Sequence, residues 1–331
     1  MAFYNFLYTI FSYPFGYVIY LLYRLFNENY LMAILFFALI IKLVLLPTSI
    51  STQKNQAKSK RMQARINKIK EKYKNDQQKQ QEEITAFYKK EGFSSMSSGC
   101  GALAIQFPVI IGLYGAIYKP LTYILRMDHH FGKGTVEKLT TAVSAFAKSQ
   151  TSRAGSMRYD EITVLNHLPE LEKAGVDVNE GVFPYLDNFA SHFHVMGFNF
   201  GDIPRQVMGD NKLIVLIPIA SFLFAMLTSI YSLIRMRRQG DQTQQSMASM
   251  GCMMLFMPLM SLWLAFEFPV GIGVYWAFNS LLGFLQMILL DLIYTPQKVI
   301  AEIMVDETNV RRSKEVAYKQ QHELLNGSAA D

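Results

Sequence analysis

Cysteine is almost missing from this chain: Cys100 and Cys252 are the only two among 331 residues. Both border apolar runs, so neither a structural disulfide nor a zinc framework is expected. The N-terminus has no leading basic region and no small-x-small site, which argues against a cleavable signal and for its belonging to the mature protein. No Walker motif and no HExxH occurs, and Asp291 stands alone as an acidic residue in the last apolar run. ATP-driven chemistry, zinc-dependent proteolysis and a paired-aspartate protease are thereby disfavoured. His129-His130 and His192-x-His194 lack the carboxylate or cysteine neighbours of a metal site. No metal, cofactor or enzymatic activity is expected.

What the chain has instead is apolar mass. Its residues are 51% hydrophobic, with 24 Phe and 18 Tyr, richer than a soluble domain and indicative of an all-α polytopic membrane protein. The run from Tyr30 to Pro47, YLMAILFFALIIKLVLLP, approaches the roughly 20 residues that cross a hydrocarbon core of about 30 Å. It carries one cation, Lys42. A lysine inside such a helix costs roughly 2.5–3.5 kcal/mol on insertion scales, so the charge reads as functional. The bland reading is that its stem snorkels toward the polar boundary near Ser49.

Residues 1–29 read as an interfacial amphipathic helix, because Phe3, Leu7, Phe11, Phe15, Ile19, Leu22 and Phe26 recur at helical spacing among tyrosines. An extra span kinked at Pro14 is the competing reading. Five transmembrane helices follow, at 30–50, 100–119, 212–234, 247–266 and 271–294. Between the first two, residues 51–99 hold twelve Lys or Arg against five Asp or Glu over 54–91, which places this loop in the cytoplasm. Met62, Ile66, Ile69 and Tyr73 form one apolar stripe, and Ile84, Phe87 and Tyr88 a second beyond Asn75-Asp76, so the loop is expected to be a helical hairpin. Lys58, Lys60, Arg61, Arg65, Lys68 and Lys72 give it a basic surface suited to anionic lipid, RNA or acidic protein, unless it is only a solvated spacer.

Residues 120–211 are nearly balanced in charge and read as a mostly helical outside cap, with TVEKLTTAVSAFAKSQ and NHLPELEKAGV as short amphipathic helices. Arg235, Arg237 and Arg238 return the chain to the cytoplasm over 235–246, residues 267–270 make a tight outside turn, and 295–331 form a cytoplasmic tail charged in both signs. Met247, Met250, Met253, Met254, Met257 and Met260 cover one side of the fourth helix, a stripe that ordinary packing or a yielding substrate surface would each explain. Gln106 in the second span and Tyr275, Trp276 and Asn279 in the fifth bring polar atoms into the membrane.

The runs FSYPFGYVIYLLYRLF and LMAILFFALIIKLVLLPTSISTQKNQAK, then ALAIQFPVIIGLYGAI, then FEFPVGIGVYWAFNSLLGFLQ resemble the YidC/Oxa/Albino membrane protein insertases, in the bacterial YidC form. The resemblance covers roughly 10–118 and 213–295. It implies five transmembrane helices around a hydrophilic groove open to the cytoplasm, with Lys42 at a position that is usually arginine. That substitution keeps the charge and loses the guanidinium fork. Trp276, Asn279 and Gln106 match groove positions, and Thr228-Ser229 stand where a glutamine pair is usual. The resemblance further implies a bacterial inner or plasma membrane protein, with nascent membrane proteins and the lipid bilayer as partners and the ribosome and Sec translocon as further candidates. DNA is not expected. The basic tail of mitochondrial relatives and a lipoprotein cysteine are both missing.

The expected function is ATP-independent guidance of nascent membrane proteins from cytoplasm to bilayer. The alternative is a small-anion transporter or channel using Lys42; it would favour inverted repeats, of which the sequence has none, and would leave the basic hairpin idle.

Overall fold

A computed structural model describes residues 2–90, 100–147, 159–195, 197–238 and 244–327. In chain order the helices are α1 (Ala2–Leu25), α2 (Tyr30–Val44), α3 (Leu46–Lys72), α4 (Gln77–Lys90), α5 (Cys100–Tyr118), α6 (Pro120–Tyr123), α7 (Met127–His130), α8 (Thr135–Phe146), α9 (Asp160–Asn166), α10 (Leu168–Lys173) and α11 (Val182–His192). A two-stranded antiparallel pair follows, β1 (His194–Val195) and β2 (Phe198–Asn199), then α12 (Pro204–Val207), a 3-10 turn at Lys212–Val215, α13 (Leu216–Arg238), α14 (Gln244–Glu267), α15 (Val270–Ile293) and α16 (Pro296–Gly327). The described residues are mostly helical, as an all-α membrane protein requires, and the strand pair within 120–211 is a local turn in which Gly197 adopts φ +81°.

Among the described residues two helices are long and apolar enough to cross a membrane, Lys212–Arg235 and Val270–Ile293, and a third if Tyr30–Val44 and Leu46–Lys58 count as one broken span. Pro108–Tyr118 and Phe256–Glu267 add shorter apolar runs. The helix expected without interruption over 30–47 stops at Val44 because Pro47 has no N–H to give to the carbonyl of Leu43. Lys42 therefore lies in the last turn of α2, not in the middle of a helix.

The chain forms two compact units, Met1–Leu46 with Leu103–Leu285, and Pro47–Ala102 with Gln286–Asp331. In the first, α2 buries Tyr30, Ala33, Ile34, Phe37, Ala38 and Ile41, a stripe at helical spacing, against Ile19, Leu22 and Tyr23 of α1. The α1–α2 turn is tight: Asn27 and Glu28 both have positive φ, at 52° and 65°, and the Asn29 side chain caps α2 by accepting from the Met32 amide at 3.0 Å. Glu28 fixes the turn by pairing with Arg24 at 2.8 Å and accepting from Asn188 Nδ2 at 2.5 Å. Two glycines let α1 approach its neighbours. A Cβ on Gly16 would collide with the Tyr123 carbonyl of α6, and one on Gly112 of α5 would meet the Phe15 ring and, at 2.7 Å, the Phe11 carbonyl.

The helical cap within 120–211 adds α8 (Val136, Leu139, Val143), α9 (Ile162, Val164, Leu165) and α11 (Val182, Leu186, Phe189) to the same core that holds α1 and α2. Tyr30, fully buried, inserts its ring among Phe189, Phe193 and Phe200 at centroid distances of 5.7, 4.9 and 5.4 Å. The cap also receives the start of α15: the amides of Val270 and Gly271 donate to the carbonyls of Asp202 (2.8 Å) and Phe200 (2.9 Å). Beside them Arg205 pairs with the buried carboxylate of Glu267.

In the second unit, α3 and α4 close over one small core, in which Met62 and Ile66 are buried against Ile84, Phe87 and Tyr88. The Gln80 side chain donates through Nε2 to the Lys70 carbonyl at 3.1 Å across the bend. Ile66→Asp puts a carboxylate into this core; a loss of about 2–4 kcal/mol to the hairpin is expected, measured as faster protease cleavage near residues 73–76. Gln53, also buried, donates to Asp291 at 2.7 Å, and Lys54 stands over the Tyr294 ring at 5.4 Å. The tail charged in both signs is helical as α16, and from Met304 to Lys319 every residue is exposed.

Candidate functional site

The chemistry of the first unit gathers on one stripe of α15. Trp276, Asn279 and Gly283 stand at i, i+3 and i+7, all partly exposed, and therefore on one face of the helix. Lys42 meets the Gly283 end of that face: its Nζ lies 3.3 Å from where a Cβ on Gly283 would be. The lysine is half-buried, and none of the ion pairs among the described residues involves it. Its counter-charge is partly its own helix, because the break at Leu45 sets the ammonium-bearing residue in the last turn, where the backbone dipole is negative.

The other end of the stripe is closed by rings. Trp276 packs edge-on to Phe268 at 5.7 Å and near Tyr114 of α5 at 6.0 Å, and Tyr118 continues the cluster at 5.9 Å from Tyr114. Tyr275, next in sequence to Trp276, points the other way; it is 2% exposed and its hydroxyl is buried without a hydrogen-bond partner among the described residues. α13 touches α15 at two levels, through Ile217 against Gly273 and through Tyr231 edge-on to Phe284 at 6.0 Å. On α13, Thr228 and Ser229 are half-buried, and the Thr228 hydroxyl donates back to the Phe224 carbonyl of its own helix at 3.1 Å.

The structure thus brings Lys42, Asn279 and Trp276 to a common face, turns Tyr275 into the core, and leaves Thr228 occupied with its own backbone. The side chains of Gln106, Lys60, Arg61, Met247, Met250, Met253 and Met254 lie outside the described residues. Met257 and Met260 are exposed. In the hairpin Arg65, Lys68 and Lys72 are exposed, Lys58 is half-buried, and Lys72 stands over the Tyr73 ring at 5.1 Å. Gly283 is the member of the site that the sequence reading missed. Its signal was present, since it sits one turn beyond Asn279 on the same polar stripe.

In the cap, Glu161 is buried at 5% exposure and accepts from both the amide (3.0 Å) and the hydroxyl (2.6 Å) of Thr122. Burial raises its carboxyl to about 7, although the Thr122 bonds and the charge of Lys119 oppose the rise. It borders a cavity of about 300 Å³ that Lys119, Asp128, Glu137 and Asp160 also line. His192 and His194 are engaged as well, each through Nδ1 with a carbonyl near the end of α11, those of Asn188 (2.8 Å) and Ala190 (2.9 Å).

Long apolar helices in more than one copy, with a polar stripe facing a lone lysine, define an α-helical membrane protein. Residues 21–297 match the family described as 60Kd inner membrane protein. The chain belongs to that family, the YidC/Oxa/Albino membrane protein insertases. It is 23% identical over 273 residues to the membrane protein insertase YidC of Brucella melitensis, a match covering 82% of this chain and 34% of that protein. Similarity to the protein of the same name in Clostridium tetani is 41% over 88 residues (27% of this chain, 40% of the relative), and in Caulobacter vibrioides 37% over 112 residues (34% and 17%). These matches span less than half the length of each relative.

Proposed function

We propose that the protein is a membrane protein insertase and chaperone of a bacterial inner or plasma membrane. In this reading α2 with the start of α3, α5, α13, α14 and α15 cross the bilayer as five spans around a hydrophilic groove open to the cytoplasm, and the C-terminus is cytoplasmic. Lys42 is a transient docking point for acidic residues in the polar tail of a nascent membrane protein. The α3–α4 hairpin recruits substrate or ribosome, and a Sec translocon is a further candidate partner. The single observation that carries the reading is the Lys42 ammonium, unpaired with any carboxylate among the described residues and set against the polar stripe of α15.

The physical logic is a shortened barrier. A polar tail crossing hydrocarbon must shed water at every polar group. A wetted half-channel removes much of that cost, and a cation within it attracts carboxylates by about 4 kcal/mol at 4 Å and an effective dielectric of 20, before desolvation is subtracted. The hydrophobic segment behind the tail leaves along apolar helix faces into lipid. No nucleotide is needed: apolar burial drives the step, and each negative charge moved outward gains roughly 2.3 kcal/mol per 100 mV of membrane potential.

The test is complementation of a bacterium depleted of its own insertase, scoring insertion of a small test protein with an acidic outside tail. Wild type should restore insertion, and Lys42→Ala should lower it about tenfold, the effect of losing about 1.4 kcal/mol of net attraction. Insertion by Lys42→Ala and Lys42→Glu equal to wild type would remove the docking role. Absence of rescue despite stable membrane expression would remove the insertase reading itself.

A further inference from the structure

The glycines of this protein differ in what an added Cβ would meet. At Gly16 and Gly112 an added Cβ would meet backbone carbonyls of another helix, so those glycines exist for close packing. At Gly283 the only described atom within 4 Å of an added Cβ is Lys42 Nζ, at 3.3 Å. Nothing of the helix packing among the described residues requires a glycine there, and a glycine inside a helix is itself unfavourable relative to alanine. The space is taken up by a charge. That charge is the far end of a flexible side chain, so an added Cβ at 283 presses on the ammonium and on no described backbone of another helix.

We propose that Gly283 is a positioning residue: it holds open the seat of the Lys42 ammonium, so the size of residue 283 sets how strongly the protein favours acidic over neutral substrate tails. This rests on the insertase reading above. Gly283→Ala shifts the ammonium by a few tenths of an ångström, whereas Gly283→Leu fills its seat. The helix itself should tolerate both, since each replaces glycine with a better helix former. A purely structural glycine would behave the opposite way, with loss of protein and no change in selectivity.

The experiment uses the full-length protein and two test substrates that differ only in two tail residues, Asp in one and Asn in the other. Insertion of each is measured for wild type, G283A, G283L, K42A and K42A combined with G283L, all at matched membrane abundance. For G283L the Asp-over-Asn preference should fall about fivefold, close to the K42A value, with G283A between it and wild type; such a change is typical of moving one charge out of reach. Asn-tail insertion should fall less than Asp-tail insertion, and G283L should add nothing in the K42A background, as expected for two residues acting through one contact. Equal loss with both tails, an undiminished preference in G283L, or an effect that persists in K42A would overturn the proposal. A second readout separates it from the insertase reading: acylation of Lys42 by a water-soluble amine reagent, followed by mass spectrometry of its peptide. If wild type inserts neither substrate, the insertase reading fails. A G283L acylation rate equal to wild type then overturns the positional claim as well, and a severalfold change sustains it.

Discussion

Gly16→Ala is expected to destabilise the protein severely. The new Cβ would fall on the carbonyl oxygen of Tyr123 and lie 2.7 Å from its carbonyl carbon, and these are backbone atoms that cannot rotate away. Relief requires α1 to lift from α6, which would disturb the burial of Ile19, Leu22 and Tyr23 that holds α1 on α2. The cost should reach or exceed the upper end of the roughly 1–3 kcal/mol typical of overpacking. Gly16→Leu should be worse. The measurement is the thermal midpoint in detergent together with protease resistance of the N-terminal helix, and a Gly16→Ala midpoint within a degree of wild type would contradict this packing. Gly283→Ala is the internal control, expected to leave the midpoint unchanged or raised.

The second large effect is one of pH. Glu161 has its carboxyl raised by burial from 4.5 to about 7, so between those values the folded protein holds a proton that the unfolded chain has released. Stability from this group is therefore complete below pH 4.5 and lost as pH rises through about 7, after which the protein bears the full cost of a buried anion, about 3 kcal/mol. Lys119 and the Thr122 hydrogen bonds temper that cost. The thermal midpoint should fall by several degrees between pH 5 and pH 8. Glu161→Gln retains an oxygen to accept from Thr122 and should flatten that dependence, matching or exceeding wild type at pH 8. An equal fall in wild type and Glu161→Gln would assign the titration to other groups.

How far the fold could be read from the chain depends on the range of the cause. The α2 stripe and the Met62–Ile66 and Ile84–Phe87–Tyr88 faces were legible, because a helix repeats its buried positions every three or four residues whatever it packs against. The break at Leu45 was not drawn, since hydrophobicity continues through it and only the missing N–H of Pro47 marks the place. α16 was not legible because no buried stripe marks it from Met304 to Lys319, although pairs such as Arg311–Glu315 at i, i+4 favour a helix. At the site, Lys42, Trp276 and Asn279 could be named from polarity in an apolar context. Gly283 was marked only by its place one turn beyond Asn279, and Glu161 not at all, as the meaning of a lone glutamate depends on an atom far away in sequence.

The hydrogen bonds from Val270 and Gly271 to the cap carry a consequence for the order of synthesis. The first amides of a helix have no acceptors within it. Here the acceptors are the carbonyls of Phe200 and Asp202, with Arg205 waiting for Glu267 beside them. A chain made from its N-terminus has all three before Val270 is translated. The start of the last long apolar helix is thus held by partners that all precede it in the chain, so the cap is available to it from the moment it is made.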